Sequence, residues 1–180
     1  MPEGVTARTI IMNWYDQYSV PIYKYILKMI NDTYQAEDLT QDTFIRAYKY
    51  LANKEIDYPK TFLYRIAHNI AIDYIRKQAP IQLVKNIFPD KKDTQISIET
   101  IVEGREEVKN MYKTLSGLKS SYRQVIILRK IEGFSIQETA QILDWSESKV
   151  KSTLFRAIRT LEDRLNKGGV MHERPGENET

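Results

Sequence analysis

The chain has 180 residues, of which 42% are hydrophobic and 28% charged, a composition typical of a soluble globular protein with one or two cores. The absence of cysteine excludes disulfides and thiolate metal sites, and no apolar run is long enough to predict a membrane span or a signal peptide. The net charge of +3 is small and says little about a partner. The distribution of charge is more informative, because positions 147–167 carry six Lys or Arg against three Asp or Glu.

Two helices are predicted for the first 53 residues. Apolar and aromatic residues over 9–29 recur at helical spacing, and we expect an interruption near Pro21 because proline has no backbone N–H to donate. Asp32 is placed to cap a second helix, which should end around Asn53.

The second helix has an acidic face. The polar residues within little more than one turn of each other are Glu37, Asp38, Gln41 and Asp42, and Arg46 follows on the same side. Asp38 and Asp42 could share a metal ion or act as acid and base, as in a metal-dependent phosphodiesterase, or the acids could simply interact with the helix N-terminus. No third carboxylate or histidine has matching spacing, and Phe44 and Ile45 border the face, so docking of a basic partner is favoured.

A third helix is predicted from Pro59 through Gln78, stopped by Ala79 and Pro80. Its start is aromatic, with Tyr58, Phe62 and Tyr64. One of its faces is polar, with Arg65, Asn69 and Arg76. Rings on which bases stack, beside amides and cations, are typical of a single-stranded nucleic-acid site. The alternative is that Phe62 and Tyr64 belong to the core, which is the commoner place for aromatic residues on helices.

A linker is predicted over 80–104, too apolar for a free coil and roughly 80 Å long if fully extended. The next helix should run from about Glu106 to Leu115. Ser121 and Gln124 are spaced as a capping box for the helix that follows, which Gly133 should end.

A helix-turn-helix is predicted over 135–165. Ser135 and Glu138 form a capping box for its first helix, and Ser146 can cap its second. Opposite the apolar stripe, the second helix carries charge, hydroxyls and one aromatic: Lys149, Lys151, Ser152, Phe155, Arg156 and Arg159. These side chains can contact bases and phosphates in a major groove, although a solvated basic face would have the same composition.

Three strings in this order resemble the small alternative sigma factors called extracytoplasmic-function (ECF) sigma factors. They are AEDLTQDTFIRAY (36–48), TFLYRIAHNIAIDYIRK (61–77) and KVKSTLFRAIRTL (149–161), and the resemblance covers 14–78 and 108–165. It implies an all-α protein with two small helical domains and no catalytic site or cofactor. The implied divisions are a region 2 domain (9–79), a linker (80–104), a region 4 domain with the helix-turn-helix (105–167) and a disordered tail (168–180).

The resemblance also implies three binding surfaces. Binding to the clamp helices of core RNA polymerase falls on Asp38, Leu39, Gln41, Asp42, Phe44 and Arg46. Recognition and melting of the minus-ten element fall on Tyr58, Lys60, Phe62, Tyr64, Arg65, Asn69, Arg76 and Lys77. Reading of the minus-thirty-five element falls on Ser148, Lys149, Lys151, Ser152, Phe155, Arg156 and Arg159. Where the family often has Trp this chain has Phe62, and Lys151 replaces an Arg of several relatives, which favours a phosphate contact.

The partners implied are core RNA polymerase, through its clamp helices and flap, and promoter DNA. The family is commonly held inactive by an anti-sigma factor, often membrane-anchored, so a cytoplasmic protein that does not itself insert into a membrane is expected. The alternative from the residues alone is a helix-turn-helix regulator that is not a polymerase subunit. Such a regulator needs neither the acidic face of the second helix nor the aromatic start of the third.

Overall fold

The computed structural model describes residues 6–51, 55–87 and 106–169, and each element in these ranges is helical. The N-terminal domain consists of α1 (Ala7–Ile30), α2 (Thr33–Leu51) and α3 (Pro59–Ile87). The C-terminal domain consists of α4 (Glu106–Ser116), α5 (Ser120–Ile126) with a π-helical continuation (Ile127–Ile131), α6 (Ile136–Leu143) and α7 (Glu147–Gly169). The all-α prediction is confirmed.

Helix α1 is continuous, so the predicted interruption near Pro21 is wrong. Thr6 caps its start by accepting a hydrogen bond from the Thr9 backbone N–H at 3.4 Å. Proline removes one intrahelical hydrogen bond, but the turn that follows Pro21 buries Ile22 and Tyr25 completely. Burial of these two large side chains contributes on the order of 1.5–3 kcal/mol each, which offsets the roughly 3 kcal/mol that a proline inside a helix costs.

Helix α2 begins as predicted, because the Asp32 carboxylate accepts a hydrogen bond from the Gln35 backbone N–H at 3.0 Å. Its buried face packs on α1 and α3 through small residues such as Ala36 and Ala47, both fully buried. The end predicted near Asn53 lies outside the described residues.

Helix α3 begins at Pro59 as predicted but does not stop at Ala79. It continues to Ile87 with Pro80 inside it, so the predicted stop is wrong. A proline near the end of a long helix removes only the hydrogen bond to the carbonyl four residues earlier, and the remaining turns keep theirs. The first residues of the predicted linker are therefore helical, and 88–105 lie outside the described residues.

The C-terminal domain begins with α4 at Glu106, as predicted. The capping box predicted for Ser121 and Gln124 is wrong, because the N-cap is Lys119, two residues earlier, and it makes no side-chain capping bond. Gln124 lies one turn inside the helix and donates from Nε2 to Ser120 Oγ at 2.8 Å.

The end of α5 contains a π-helical turn that the sequence did not predict. The backbone N–H of Glu132 donates to the Ile127 carbonyl at 2.8 Å, five residues back. Gly133 then reverses the chain with φ +76, a left-handed conformation that favours glycine, and Phe134 N–H donates to the Leu128 carbonyl. The predicted end at Gly133 is confirmed, and the turn directs Glu132 and Phe134 toward the N-terminal domain.

The predicted helix-turn-helix is confirmed as α6 and α7. Ser135 Oγ accepts from the Glu138 backbone N–H at 3.1 Å, and the Glu138 carboxylate accepts from the Ser135 N–H at 2.8 Å. Asp144, at φ 56, ends α6, and Ser146 Oγ caps α7 by accepting from the Lys149 N–H at 3.2 Å. Helix α7 ends at Gly169, and the predicted disordered tail lies outside the described residues from 170 onward.

The two domains pack against each other through α6 and α3. The rings of Tyr64 on α3 and Phe134 before α6 are 4.7 Å apart at their centroids and 70° inclined, an edge-to-face contact. Both side chains are buried, and they join the cores of the two domains into one apolar cluster.

Candidate nucleic-acid and protein interfaces

The acidic face predicted on α2 is a real surface. Asp38 and Gln41 are exposed, and Asp42 accepts a hydrogen bond from Arg46 Nε at 3.0 Å, with a second guanidinium nitrogen 2.9 Å away. Leu39 is half-buried. The face thus presents carboxylates whose charge is only partly balanced, because both members of the ion pair remain open to solvent.

One residue predicted for this face belongs to the core. Phe44 is 5% exposed and packs edge-to-face on Tyr15 of α1, with ring centroids 5.0 Å apart, so its ring does not reach a partner on the acidic face. The apolar part of the surface is instead Ile45 and Tyr48, which are 52% and 46% exposed. Tyr48 follows Gln41 by seven residues, two turns along the helix, and this spacing could have identified it from sequence.

A cleft of about 320 Å³ opens beside this face, between α1 and α2. It is lined by Tyr15, Ser19, Val20, Tyr23, Glu37, Thr40 and Gln41. Burial, and secondarily the Glu37 carboxylate, raise the pKa of the Tyr23 hydroxyl, which therefore stays protonated and can donate. The docking surface predicted from α2 alone thus extends onto α1.

The polar and aromatic residues predicted for minus-ten recognition lie mostly along one stripe of α3. Arg65, Asn69, Arg76 and Lys77 are exposed, and Arg76 makes a loose ion pair with Asp73 at 3.6 Å. Among the sequence-predicted residues of this group, those at positions 58, 62, 65, 69 and 76 repeat every three, four or seven positions and share one face.

Phe62 is held at the upper end of this stripe by other rings. Its centroid is 6.3 Å from that of Trp14 and 5.0 Å from that of Tyr50, and the side chain is half-buried. Tyr58, one turn before it, is 76% exposed. A ring fixed on one side and open on the other is suited to stacking with a planar group.

A cleft of about 410 Å³ adjoins Phe62. Its lining combines the loop before α3, the start of α3 and one residue of α6: Glu55, Ile56, Asp57, Tyr58, Thr61, Phe62, Arg65 and Gln141. The sequence predicted the loop and the α3 residues as one site, but not the contribution of Gln141 from the other domain.

Tyr64 requires a correction. Only 1% of the residue is exposed, its ring packs on Tyr25 and Phe134, and its hydroxyl donates to Glu132 Oε2 at 2.6 Å. Burial and the Glu132 carboxylate raise the pKa of Tyr64. In this arrangement Tyr64 offers no surface to DNA because the C-terminal domain covers it. For Tyr64, the alternative placement in the core is therefore the correct one. Lys60 is exposed, but its Nζ lies 4.7 Å from the Phe134 ring centroid.

All seven residues predicted for minus-thirty-five recognition are exposed on α7: Ser148, Lys149, Lys151, Ser152, Phe155, Arg156 and Arg159. Buried Val150, Thr153 and Ala157 alternate with them and pack on the rest of the domain. Phe155 is 64% exposed, which is unusual for so large an apolar side chain unless it contacts a partner.

The cations of this face are available to an anionic partner. Within the described ranges, Lys149, Lys151, Arg156 and Arg159 are in no ion pair with a carboxylate. Lys149 Nζ lies 4.1 Å from the Trp145 ring centroid, and the Arg159 guanidinium lies 5.8 Å from that of Phe155. Ring contacts hold these side chains without neutralising them, so the charge of the face is not reduced.

Among the described residues, no group of three His, Asp or Glu side chains could hold a metal ion. The described helices also include none that is long and apolar enough to cross a membrane.

Comparison with known proteins identifies two regions of the chain. The family model for sigma-70 region 2 matches residues 14–81, and the model for sigma-70 region 4 matches residues 109–161. The ECF RNA polymerase sigma factor SigX of Bacillus subtilis (strain 168) is 38% identical over 84% of this chain and 81% of its own length. The ECF RNA polymerase sigma factor SigM of the same organism is 30% identical over 86% of this chain and 94% of its own length.

Solved structures share the fold. The sigma factor RpoE in complex with the anti-sigma factor NepR from Bartonella quintana superposes with a TM-score of 0.69 at 23% identity, covering 86% of this chain and 96% of that one. CnrH in complex with the cytosolic domain of CnrY gives a TM-score of 0.66 at 23% identity, with 90% of both chains covered.

Proposed function

The chain belongs to the family of ECF RNA polymerase sigma factors, and we propose that it performs this role through three separate surfaces on α2, α3 and α7. It is an alternative sigma factor that directs promoter-specific transcription. The observation that carries the assignment of surfaces is the presence, on one chain, of an acidic face in the region 2 match and an unneutralised cationic face in the region 4 match.

Core polymerase binding is assigned to the exposed face of α2. Asp38, Gln41 and Asp42 would meet basic groups of the clamp helices, and Ile45 and Tyr48 would supply the apolar contact that Phe44 cannot. Opposite charges steer and orient such a complex, and apolar side chains among them supply most of the affinity.

Minus-ten recognition and melting are assigned to the stripe on α3. A base unstacked from the duplex would stack on the open side of Phe62, with Tyr58 above it and Arg65 and Asn69 able to bond the base edge or the backbone. The ring contacts from Trp14 and Tyr50 keep Phe62 in place, so little side-chain entropy is lost when a base binds.

Minus-thirty-five recognition is assigned to α7. Arg156 lies at the centre of the exposed face, where a guanidinium can bond a guanine edge with two N–H groups, and Phe155 beside it can contact a thymine methyl group. Lys149 and Lys151 are better suited to phosphates, because an ammonium group is a compact point charge without the two-pronged geometry of arginine.

The sigma factor family is a non-catalytic subunit of RNA polymerase, and we infer that this chain likewise has no reaction of its own. Asp38 and Asp42 then serve as docking groups. A cytoplasmic location follows from the assigned partner, since polymerase and promoter DNA are there.

An anti-sigma factor is a further proposed partner. RpoE, which shares this fold, was solved in complex with the anti-sigma factor NepR, and CnrH in complex with the cytosolic domain of CnrY. The exposed apolar residues around the cleft between α1 and α2, among them Val20 at 59% exposure, offer a surface that such a domain could cover. Whether that partner is membrane-anchored does not affect this surface.

Run-off transcription on a genomic library tests the proposal. Core polymerase with the wild-type chain should give a defined set of transcripts whose upstream sequences share two elements, whereas core alone should not. A chain with Arg156→Ala should lose part of that set, and a chain with Glu162→Gln, an exposed change on the same helix outside the reading face, should retain it. Transcripts that do not depend on the added chain would contradict the proposal.

A further inference from the structure

The turn of the helix-turn-helix carries an aromatic ring beside the proposed reading face of α7. Trp145 lies between Asp144, which ends α6, and Ser146, which caps α7, and its side chain is half-buried. The Nζ atom of Lys149 lies 4.1 Å from the centroid of this ring. An ammonium group this close is attracted by the negative face of the ring, and tryptophan gives the strongest contact of this kind. A side chain of the turn thus holds a cation of the reading face.

Local geometry brings the two side chains together. Lys149 follows Trp145 by four residues, and side chains on a helix point back toward its N-terminus, so Lys149 lies over the residue before the cap. The Trp145 N–H donates to the Ala140 carbonyl at 3.0 Å, and the Lys149 N–H donates to Ser146 Oγ at 3.2 Å. The backbone is therefore fixed at both ends of the contact before any partner binds.

The ring holds the charge of Lys149 without cancelling it. Lys149 is exposed and, within the described ranges, is in no ion pair with a carboxylate. A neighbouring carboxylate would also fix the ammonium group, but it would neutralise the charge and compete with a phosphate. Fixing a long lysine side chain costs conformational entropy, and a side chain already held by a ring has lost part of that freedom before binding.

We propose that Trp145 is a positioning residue for duplex DNA, whose indole ring holds the Lys149 ammonium group at the N-terminal edge of the reading face, where it meets a backbone phosphate. The proposal rests on the proposed function, in which α7 reads a DNA groove. It adds a residue of the turn that is not among the predicted DNA contacts. In this role Trp145 acts through Lys149 and need not touch DNA.

A purely structural role is the alternative for Trp145. An apolar residue just before an N-cap commonly packs against the first turns of the helix, and Trp145 packs against the apolar cluster to which Val150 belongs. In that role the ring would stabilise the domain whatever the charge of residue 149. The two roles therefore differ in one measurable property, which is the energetic coupling between positions 145 and 149.

Lys151 provides a matched comparison on the same helix. It is exposed, and among the described residues its ammonium group has neither a carboxylate partner nor a ring contact. DNA phosphates would thus meet one lysine that is held by a ring and one that is not. Loss of the ring should affect the contribution of Lys149 and leave that of Lys151 unchanged.

A double-mutant cycle on binding to a random-sequence duplex at low salt tests the coupling. Trp145→Leu keeps an apolar side chain and removes the ring, and we expect it to weaken binding about two- to fivefold. In a Lys149→Gln chain the same substitution should change binding by less than about 1.5-fold, whereas in a Lys151→Gln chain it should again weaken binding about two- to fivefold. Trp145→Phe keeps a ring and should retain most of the wild-type affinity.

The salt dependence of binding identifies the group that the ammonium meets. Lys149→Gln should reduce the slope of log K against log salt by about one, as expected for the loss of one phosphate contact. An unchanged slope would show that Lys149 meets no phosphate. Equal losses from Trp145→Leu in the wild-type and Lys149→Gln chains would show that the ring has only a structural role. Either result overturns the proposal.

The contact can also be observed by NMR in the free chain, without DNA or polymerase. Protons above the face of an indole ring resonate at lower frequency, so the ε-methylene signals of Lys149 should be displaced. Lys149→Gln should remove these signals, and Trp145→Leu should return them to the usual lysine position. The signals of Lys60, which lies over the Phe134 ring, should be the same in all three chains. Undisplaced Lys149 signals in the wild-type chain would contradict the proposal.

These results are separable from those that test the proposed function. Displaced Lys149 signals and a coupled cycle on a random-sequence duplex support the role of Trp145 even if transcription assays refute the assignment of the promoter surfaces. Conversely, a chain that directs transcription but shows additive losses in the cycle retains the proposed function and loses this inference. Circular dichroism on each variant confirms that it is folded.

Discussion

The two proposed DNA-reading surfaces are built in opposite ways. On α3 the central group is an aromatic ring, Phe62, wedged between Trp14 and Tyr50, and the adjacent Tyr64 is buried by the other domain. On α7 the central groups are cations that are exposed and not neutralised by any carboxylate in the described ranges. Stacking needs a preformed, partly dry site, whereas reading a duplex groove needs reach and charge. The first surface therefore depends on the packing around its ring, and the second depends on the exposure of its charged side chains.

The largest expected effect concerns neither DNA surface but the docking face that brings both to a promoter. Asp42→Arg places a cation where a carboxylate faces solvent and also repels Arg46, with which Asp42 now pairs. We expect binding to core polymerase to weaken about a hundredfold or more. Pull-down with purified core measures this, and Asp163→Arg, the same reversal on exposed α7, is the control. Normal recovery of core by the Asp42→Arg chain would remove α2 from the interface.

Phe62→Ala tests the stacking surface. Loss of the ring should cost about 1–3 kcal/mol of strand binding, so promoter opening should fall while duplex binding is retained. Permanganate reactivity of unpaired thymines measures opening, and filter binding to duplex DNA measures the other step. Phe62→Trp, which keeps a ring and restores the residue common in the family, should open promoters. If the Ala variant opens promoters as well as the wild type, Phe62 is not a stacking platform.

Arg156→Ala and Lys151→Ala separate base reading from charge on α7. The first should lose about 1–3 kcal/mol at one position of the minus-thirty-five element and relax the preference there, whereas the second should weaken binding to all sequences and reduce the salt slope by about one. Binding to a set of single-base variants over a range of salt concentrations distinguishes them. Identical profiles for the two variants would contradict the division between base and phosphate contacts.

The two domains should also differ in their response to acid. His68, buried in the N-terminal domain, forms a 3.0 Å hydrogen bond with Tyr25, and burial lowers its pKa from 6.5 to about 4. The unfolded chain therefore takes up a proton between these pH values that the folded chain does not. The free energy of unfolding should fall by up to about 1.4 kcal/mol for each pH unit below 6.5, down to about pH 4.

The sequence contains only two tryptophans, Trp14 in the N-terminal domain and Trp145 in the C-terminal domain, so single-tryptophan variants report on each domain separately. In the variant that retains Trp14, urea unfolding should give a lower free energy of unfolding at pH 5 than at pH 7. The substitution His68→Gln should reduce this difference. A loss of the same size in the His68→Gln chain would show that another group is responsible.

The smallest effect expected is that of the helix-turn-helix cap. Ser135→Ala removes a side chain that accepts from the Glu138 N–H and should destabilise the C-terminal domain by about 1 kcal/mol. Ser121→Ala provides the control, because Ser121 makes no capping bond, and should change stability by less than about 0.5 kcal/mol. A larger loss for Ser121→Ala than for Ser135→Ala would contradict the assigned helix starts.

Local features of the fold were predictable from sequence. The caps at Asp32, Ser135 and Ser146, the helix start at Pro59 and the exposed face of α7 all follow from side-chain chemistry within one or two turns. These features depend on residues that are neighbours in the chain, so spacing is enough to identify them.

Features that depend on distant parts of the chain were not predictable. Helix α1 continues through Pro21 because α2 and α3 bury the residues that follow it, and Phe44 turns inward because Tyr15 of α1 lies beside it. Tyr64 is buried by Phe134, 70 residues later, through a π-helical turn that has no sequence signature. Periodicity shows which residues share a face but not which face another domain will cover.

The most direct test of the central claim is titration of the wild-type chain with purified core RNA polymerase. We expect saturable binding that makes core protect two separate elements of a promoter fragment in a footprint. A chain that shows no affinity for core and protects only one site on its own would contradict the assignment, and would leave α7 as the reading helix of an independent DNA-binding protein.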